Sequence, residues 1–261
     1  MEPKKVVILC GGLGTRLREE TEFRPKPMVP IGGRPILWHI MKGFAAQGHK
    51  EFILCLGYKG EIIRDYFRNY QWNTSDVTLR LGRVPKMEYL TQHDEADWTV
   101  TLLETGEETM TGGRLAKALP YVSEDEFFFT YGDGLSDVDL GRLLHRHREN
   151  KAVATITAVK PHGRFGDMVI GRKGQVSSFD EKPQAQTSPI NGGFMVLSKK
   201  IGSYISGDGC IFESDVLPKL AQEGSLSAYE HPGFWQCMDT HREQMLLDCL
   251  WRSGKSPWKK W

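Results

Sequence analysis

Gly11-Gly12-Leu13-Gly14-Thr15-Arg16-Leu17, with Pro25-Lys26-Pro27-Met28 close behind, is the stretch on which the fold turns. The apolar run Val6-Val7-Ile8-Leu9-Cys10 leads straight into it and reads as a buried strand. A strand that opens into a glycine-rich turn can close its backbone N–H groups around phosphate oxygens, because no Cβ stands in the way. Thr15 adds a hydroxyl donor, while Arg16 and Lys26 add positive charge. The dinucleotide fingerprint G-x-G-x-x-G fails here, since Leu17 stands where its third glycine belongs. The Walker loop fails as well, because no Gly-Lys-Ser/Thr follows. Arg24-Pro25-Lys26-Pro27 interrupts any long helix after the turn. This is a phosphate loop of a third kind.

Outward from the loop, the chain alternates strand and helix. Residues 34–47 read as a helix stopped by Gly48, with Leu37, Ile40, Met41 and Phe44 on one stripe. Phe52-Ile53-Leu54-Cys55-Leu56 is the next buried strand, and 60–70 the next helix, with Ile62, Ile63, Tyr66 and Phe67 facing inward. Such alternation implies a mostly parallel sheet with helices on both faces. Residues 71–97 lack periodicity and read as an inserted hairpin or loop, after which 99–103 returns to the sheet. Residues 111–119 open with Thr-Gly-Gly and carry Arg114. Phe127-Phe128-Phe129-Thr130-Tyr131 is the clearest buried strand, so Asp133 falls between two glycines just past its carboxyl end. That edge of an open parallel sheet is where ligands bind. Residues 138–150 are again helical, and His145 and His147, two apart, point to different sides and form no ligand pair.

From residue 152 the rhythm changes. Strand-like runs at 153–159, 168–170, 176–179 and 194–197 follow with little helix between them, and read as a smaller β-rich extension of the sheet. A helix is expected over 214–223, with Pro218 in its first turn, and Thr240 with Glu243 forms a capping box for a helix over 245–252. Trp251, Trp258 and Trp261 read as packing on a neighbour or subunit, so a homo-oligomer is expected. The expected organisation is one domain over 1–261 in two halves, 1–150 and 151–261.

Composition narrows the class. A net charge of +1 argues against a broad electrostatic footprint for nucleic acid or membrane. No apolar run approaches the roughly 20 residues that span a bilayer, and no signal-type apolar region is recognisable. The five cysteines have no metal-ligand spacing, and an odd number of scattered thiols suits the cytoplasm.

Tyr131-Gly132-Asp133-Gly134, Glu181-Lys182-Pro183, Asn191-Gly192-Gly193 and Trp235-Gln236-Cys237-Met238-Asp239 follow the loop in order. With it they resemble the signature of the sugar-1-phosphate nucleotidylyltransferases. Ile36-Leu37-Trp38-His39-Ile40-Met41-Lys42, Met110-Thr111-Gly112-Gly113-Arg114-Leu115 and Glu230-His231-Pro232-Gly233-Phe234-Trp235 are similar to the branch that joins CTP to glucose 1-phosphate. The likeness runs from Val6 to about Trp258. It implies a Rossmann-like α/β fold and transfer of a cytidylyl group to α-D-glucose 1-phosphate. The products would be CDP-glucose and pyrophosphate, an opening step toward dideoxysugars and lipopolysaccharide O-antigen.

The resemblance also implies a site. Arg16, Lys26 and Asp133 would be catalytic, and Asp133 and Asp239 would hold Mg²⁺. The nucleotide would meet Leu9, Gly11, Gly12, Gly14, Thr15, Arg16, Lys26, Thr111, Gly113, Arg114 and Asp133. The sugar phosphate would meet Gly166, Glu181, Lys182, Asn191 and Trp235. Read without the resemblance, Asp133 could equally cap a turn and Asp239 the last helix. Uridylyl or thymidylyl transfer, or a non-catalytic sugar-nucleotide sensor on the same fold, are the alternatives.

The chemistry asks little covalent help. A phosphomonoester with a second pKa of about 6 is already ionised near pH 7, so its oxygen attacks without a general base. What remains is positioning and charge neutralisation. Cytosine presents N3 and O2 as acceptors, and arginine has only donors, so Arg114 is the expected reader of the base, with Gly11, Gly12 and Gly113 completing its pocket.

Overall fold

The computed structural model describes residues 2–83, 86–161, 167–170, 175–180 and 188–261. A seven-stranded sheet runs through its centre. Its strands are β1 Val6–Leu9, β2 Glu51–Leu56, β3 Thr99–Glu104, β4 Glu126–Tyr131, β5 Ala154–Val159, β6 Ile190–Ser198 and β7 Leu226–Glu230. Across the sheet their order is β7-β5-β6-β4-β1-β2-β3. Strand β6 runs antiparallel to β4 and β5, and the remaining neighbours pair in parallel. The main helices are α1 Ile36–Ala45, α2 Gly60–Arg68, α3 Thr111–Ala118, α4 Leu140–Asn150, α5 Leu217–Gln222 and α6 His241–Arg252.

Period-two alternation sorts the strand residues into two cores. Val6, Ile8, Phe52, Leu54, Phe128 and Val196 pack with Ile36, Ile40 and Phe44 of α1 on one face. Val7, Leu9, Ile53, Phe127, Phe129 and Met195 pack with Leu115 of α3 and Leu220 of α5 on the other. Strands buried on both faces are therefore apolar without interruption, and that is why the Val6 and Phe127 runs stood out. The chain winds from β1 outward through β2 to β3 and then returns to the opposite side of β1 as β4. That reversal is the switch point of an open α/β sheet, and the carboxyl ends of β1 and β4 flank it.

Several boundaries shift for local reasons. Helix α1 starts at Ile36, because Arg34–Pro35 pairs with Pro30–Ile31. The helix expected over 60–70 divides into α2 and a separate turn at Tyr70–Thr74. Helix α5 begins only at Leu217, after the wider π-type turn Phe212–Val216. The inserted segment contains the hairpin Val77–Arg80 with Lys86–Tyr89. Most of the β-rich second half joins the central sheet, and the pair Asp167–Ile170 with Val176–Asp180 stands apart from it. The capping box at Thr240 and Glu243 is present. Trp258 differs from expectation: it is only 2% exposed, inside the chain's own core, stacked on Phe234 and Trp251. No helix among the described residues is long and apolar enough to cross a membrane.

Candidate active site

The glycine loop takes its shape from two close approaches. Gly14 sits at φ 61°, and a Cβ there would lie 2.8 Å from the Thr21 methyl. Its carbonyl accepts from Leu17 N at 3.0 Å and from Thr21 Oγ1 at 3.1 Å, which closes the turn. Gly11 faces Arg114, whose Nη1 would lie 2.1 Å from an added Cβ. Only glycine lets the guanidinium pass beneath the loop.

Arg114 is buried at 4% exposure and braces three segments. Its Nη1 donates to Leu56 O at 2.9 Å and Thr105 Oγ1 at 2.6 Å, and its Nη2 to Gly11 O at 3.1 Å and Glu107 O at 2.9 Å. All four terminal N–H groups are thereby engaged. In this arrangement the terminal donors are committed to the protein, so base reading through them would require Arg114 to exchange partners. Thr111 is likewise committed, donating to Glu213 Oε2 at 2.7 Å and accepting from Phe212 N at 2.9 Å. A Cβ on Gly113 would come within 2.7 Å of the Asp208 backbone, so this glycine admits a neighbouring loop.

At the switch point the charged residues converge. Lys26 Nζ lies 2.6 Å from Asp133 Oδ2 and 2.5 Å from Asp239 Oδ1, and Arg16 Nη1 lies 2.9 Å from Asp239 Oδ2. Pro25 and Pro27 set the turn Lys26–Met28 that carries the lysine. Gly132 lets that turn pack against the end of β4, since a Cβ there would lie 2.7 Å from Pro27 Cγ. Burial disfavours the Lys26 ammonium, but Asp133 and Asp239 outweigh it and raise its pKa above the ordinary lysine value. Lys26 is a fixed positive charge, not a proton donor. Arg16, by contrast, is largely exposed even where it pairs with Asp239.

Asp239 reaches this place through a second, shorter ladder. Gly134–Ser136 pairs antiparallel with Trp235–Cys237, and Met238 N donates to Asp133 O at 2.8 Å. Where the sugar phosphate was expected, Trp235 Nε1 donates to Gly192 O at 2.7 Å, and Asn191 Oδ1 accepts from Gly193 N at 2.9 Å. The structure thus brings Asn191 and Trp235 together. Gly166, Glu181 and Lys182 lie outside the described residues. Two carboxylates, with no group of three or more His, Cys, Asp or Glu side chains suited to a metal among the described residues, make up the acidic set.

Sequence reading missed Asp137, His231, Tyr131 and Glu213. Tyr131 Oη donates to Glu213 across 82 positions of chain, a separation at which no local pattern speaks. Burial, then Glu213, pushes the Tyr131 phenol above its ordinary range. His231 sat in a quoted motif, yet only its partner Asp137 reveals a task. A cleft of about 940 Å³ lies elsewhere, between α2 and the edge strand β3, and includes none of the loop or acidic residues.

The nucleotidyl transferase family model matches residues 5–247. The glucose-1-phosphate cytidylyltransferase of Salmonella typhimurium is 52% identical, over 98% of this chain and 99% of its own. Its Salmonella typhi counterpart of the same name is 51% identical over the same shares. The crystal structure of HddC from Yersinia pseudotuberculosis complexed with GMP-PN superposes with a TM-score of 0.70. It is 27% identical and covers 95% of this chain and 99% of its own. With a glycine loop and an acidic pair at the switch point, and a match over nearly its whole length, this chain belongs to the nucleotidyl transferase family.

Proposed function

We propose that this protein transfers a cytidylyl group from CTP to α-D-glucose 1-phosphate, giving CDP-glucose and pyrophosphate. The observation that carries the reaction class is the Lys26 ammonium lodged between Asp133 and Asp239, beside the loop that opens from β1. The names of the 52% and 51% identical relatives support the choice of CTP and glucose 1-phosphate.

The sugar phosphate oxygen would attack the α-phosphorus of CTP, and the bond to the β-phosphate bridging oxygen would break, releasing pyrophosphate. No proton need move at the attacking oxygen. Asp133 and Asp239 would hold Mg²⁺. Two carboxylates, with no third such ligand grouped with them among the described residues, suit an ion that takes the rest of its shell from water and substrate phosphates. When bound, the ion would neutralise charge on those phosphates. Lys26 keeps its proton and stabilises negative charge growing on the leaving pyrophosphate. The loop N–H groups and Thr15 would orient the nucleotide phosphates, and Arg16 would close on them from the solvent side. Asn191 and Trp235, with Gly166, Glu181 and Lys182, would take the sugar phosphate.

The free thiols among the described residues suit a cytoplasmic enzyme. Exposed Leu79, Leu81 and Met87 on the hairpin, and Met245 and Leu246 on α6, support a homo-oligomer. Pyrophosphate release measured with CTP, UTP, dTTP and GTP against a panel of sugar 1-phosphates tests the reading. The highest kcat/KM is expected for CTP with glucose 1-phosphate. Equal rates with UTP would overturn the base assignment, and silence with every pair would overturn the activity.

A further inference from the structure

We propose that Asp137 and His231 form a positioning clasp that sets how far apart Asp133 and Asp239 stand. The inference rests on the reading that those two carboxylates hold the divalent cation.

Asp133 and Asp239 come from distant parts of the chain and are joined through three ladder pairs, Gly134 with Cys237, Leu135 with Gln236 and Ser136 with Trp235. A two-stranded ladder this short is marginal in water and slips or splays unless its far end is pinned. The carboxylate pair sits at one end of it. The clasp sits at the other.

There, His231 Nε2 lies 3.0 Å from Asp137 Oδ1, 3.1 Å from Phe234 O and 3.2 Å from Ser136 Oγ. Acceptors on every side mean that Nε2 carries the hydrogen. Asp137 Oδ1 also accepts from Phe234 N at 2.7 Å, and Ser136 Oγ donates to Phe234 O at 2.8 Å. Both strands are thereby stapled at the residue where the ladder ends. The staple is itself anchored to the main sheet, because His231 N donates to Ala158 O of β5 at 2.9 Å. Phe234 stacks on buried Trp258, and Lys260 Nζ approaches Asp137 Oδ2 at 3.5 Å. Gly233 belongs to the device too, since a Cβ there would lie 2.4 Å from Asp137 Oδ1.

His231 side-chain exposure is only 5%, and the bonds that it and Asp137 make to Ser136 and Phe234 lie at the far end of the ladder from the acidic pair. The clasp therefore acts through backbone register. Loosening it should weaken cation binding before it weakens nucleotide binding, as loss of a residue that orients a metal ligand does.

The test titrates Mn²⁺ into the full-length protein and follows free ion by electron paramagnetic resonance. His231→Ala should raise the Mn²⁺ dissociation constant on the order of ten-fold. In kinetics it should raise the Mg²⁺ needed for half-maximal rate while leaving KM for glucose 1-phosphate unchanged. His231→Gln places an amide N–H near the lost Nε2 and should restore most of the affinity. Wild-type Mn²⁺ affinity in folded His231→Ala overturns the proposal, as does a glutamine variant no better than alanine. Should His231→Ala not fold, the glutamine variant and Ser136→Ala carry the test. A rise in the dissociation constant for Ser136→Ala with near-normal binding by the glutamine variant supports the clasp, and any other pattern overturns it. Asp133→Asn separates the two readings. If that variant binds Mn²⁺ like wild type, the cation assignment fails, whereas its loss alongside intact His231→Ala rejects the clasp alone.

Discussion

Lys26 and Asp239 stand 213 positions apart in the chain, and their charged atoms meet at 2.5 Å. The ammonium is shared with Asp133, so a single cationic side chain spans two carboxylates drawn from distant parts of the chain. Removing it has two consequences. Lys26→Met should lower turnover on the order of 10²-fold, because a preorganised charge at the reacting phosphates is lost. It also leaves the carboxylates facing each other, so added Mg²⁺ should raise the melting temperature of the variant more than that of the wild type. A variant with wild-type kcat would place Lys26 outside the chemistry.

Asp133→Asn and Asp239→Asn each keep shape and remove one negative charge. Both should lose on the order of 10²-fold or more in kcat at limiting Mg²⁺ while still unfolding cooperatively. Neither carboxylate is deeply buried, so the fold tolerates the amides. Single-turnover rates at graded Mg²⁺ are the measurement, and unaltered rates in either variant would remove that residue from the cation site.

Arg114→Lys tests the brace beneath the loop. Lysine brings donors from a single nitrogen and cannot span Leu56, Thr105, Gly11 and Glu107 as the fork does. Buried acceptors left unmatched should lower the unfolding free energy by about 1–3 kcal/mol in urea titrations. If Arg114 also exchanges partners to read the base, the variant should lose much of its preference for CTP over UTP. Retention of the full preference assigns base reading to other groups.

His39 supplies a pH dependence. Its Nδ1 accepts from Trp258 Nε1 at 3.4 Å, so Nε2 carries the hydrogen and donates to Ile31 O at 2.8 Å. Burial lowers its pKa from 6.5 to about 4, and burial does the same to His49. Between those values the unfolded chain binds protons that the folded chain refuses. Stability from these residues is thus present above pH 6.5 and lost as pH falls toward 4. Urea midpoints should fall across that window, and fall less steeply in His39→Gln. Parallel slopes in the two proteins would assign the acid sensitivity elsewhere.

The sheet was legible because its inner strands carry apolar side chains on both faces, so Val6 to Leu9 and Phe127 to Phe129 read as strands without context. Asp133 was legible for a related reason: it follows such a strand between two glycines. Asp239 needed the likeness to a family, since nothing local tells a helix-flanking aspartate from a ligand, whereas the flanking prolines and the nearby glycine turn marked Lys26 directly. Arg114 was singled out for the base, and its bracing role was not foreseen. Its partners are mostly carbonyl oxygens, and a sequence carries no sign of which backbone groups a fold leaves in want of a donor. Trp258 looked like an interface residue because its short tail has no periodicity, whereas it closes the core beside His39.

The placement of Asp239 bears on how the protein comes into being. A chain emerging from the ribosome can assemble β1, β2, β3 and β4 and bring Lys26 to Asp133 before the segment that carries Asp239 has emerged. The other carboxylate arrives only with the ladder strand Trp235–Cys237 and the start of α6. Contacts of such sequence separation form late, after the entropy of closing the intervening chain has been overcome. Nascent and truncated chains would then hold a phosphate loop without a complete acidic pair, able to touch a nucleotide but not to turn it over. Competence is a property of the finished molecule.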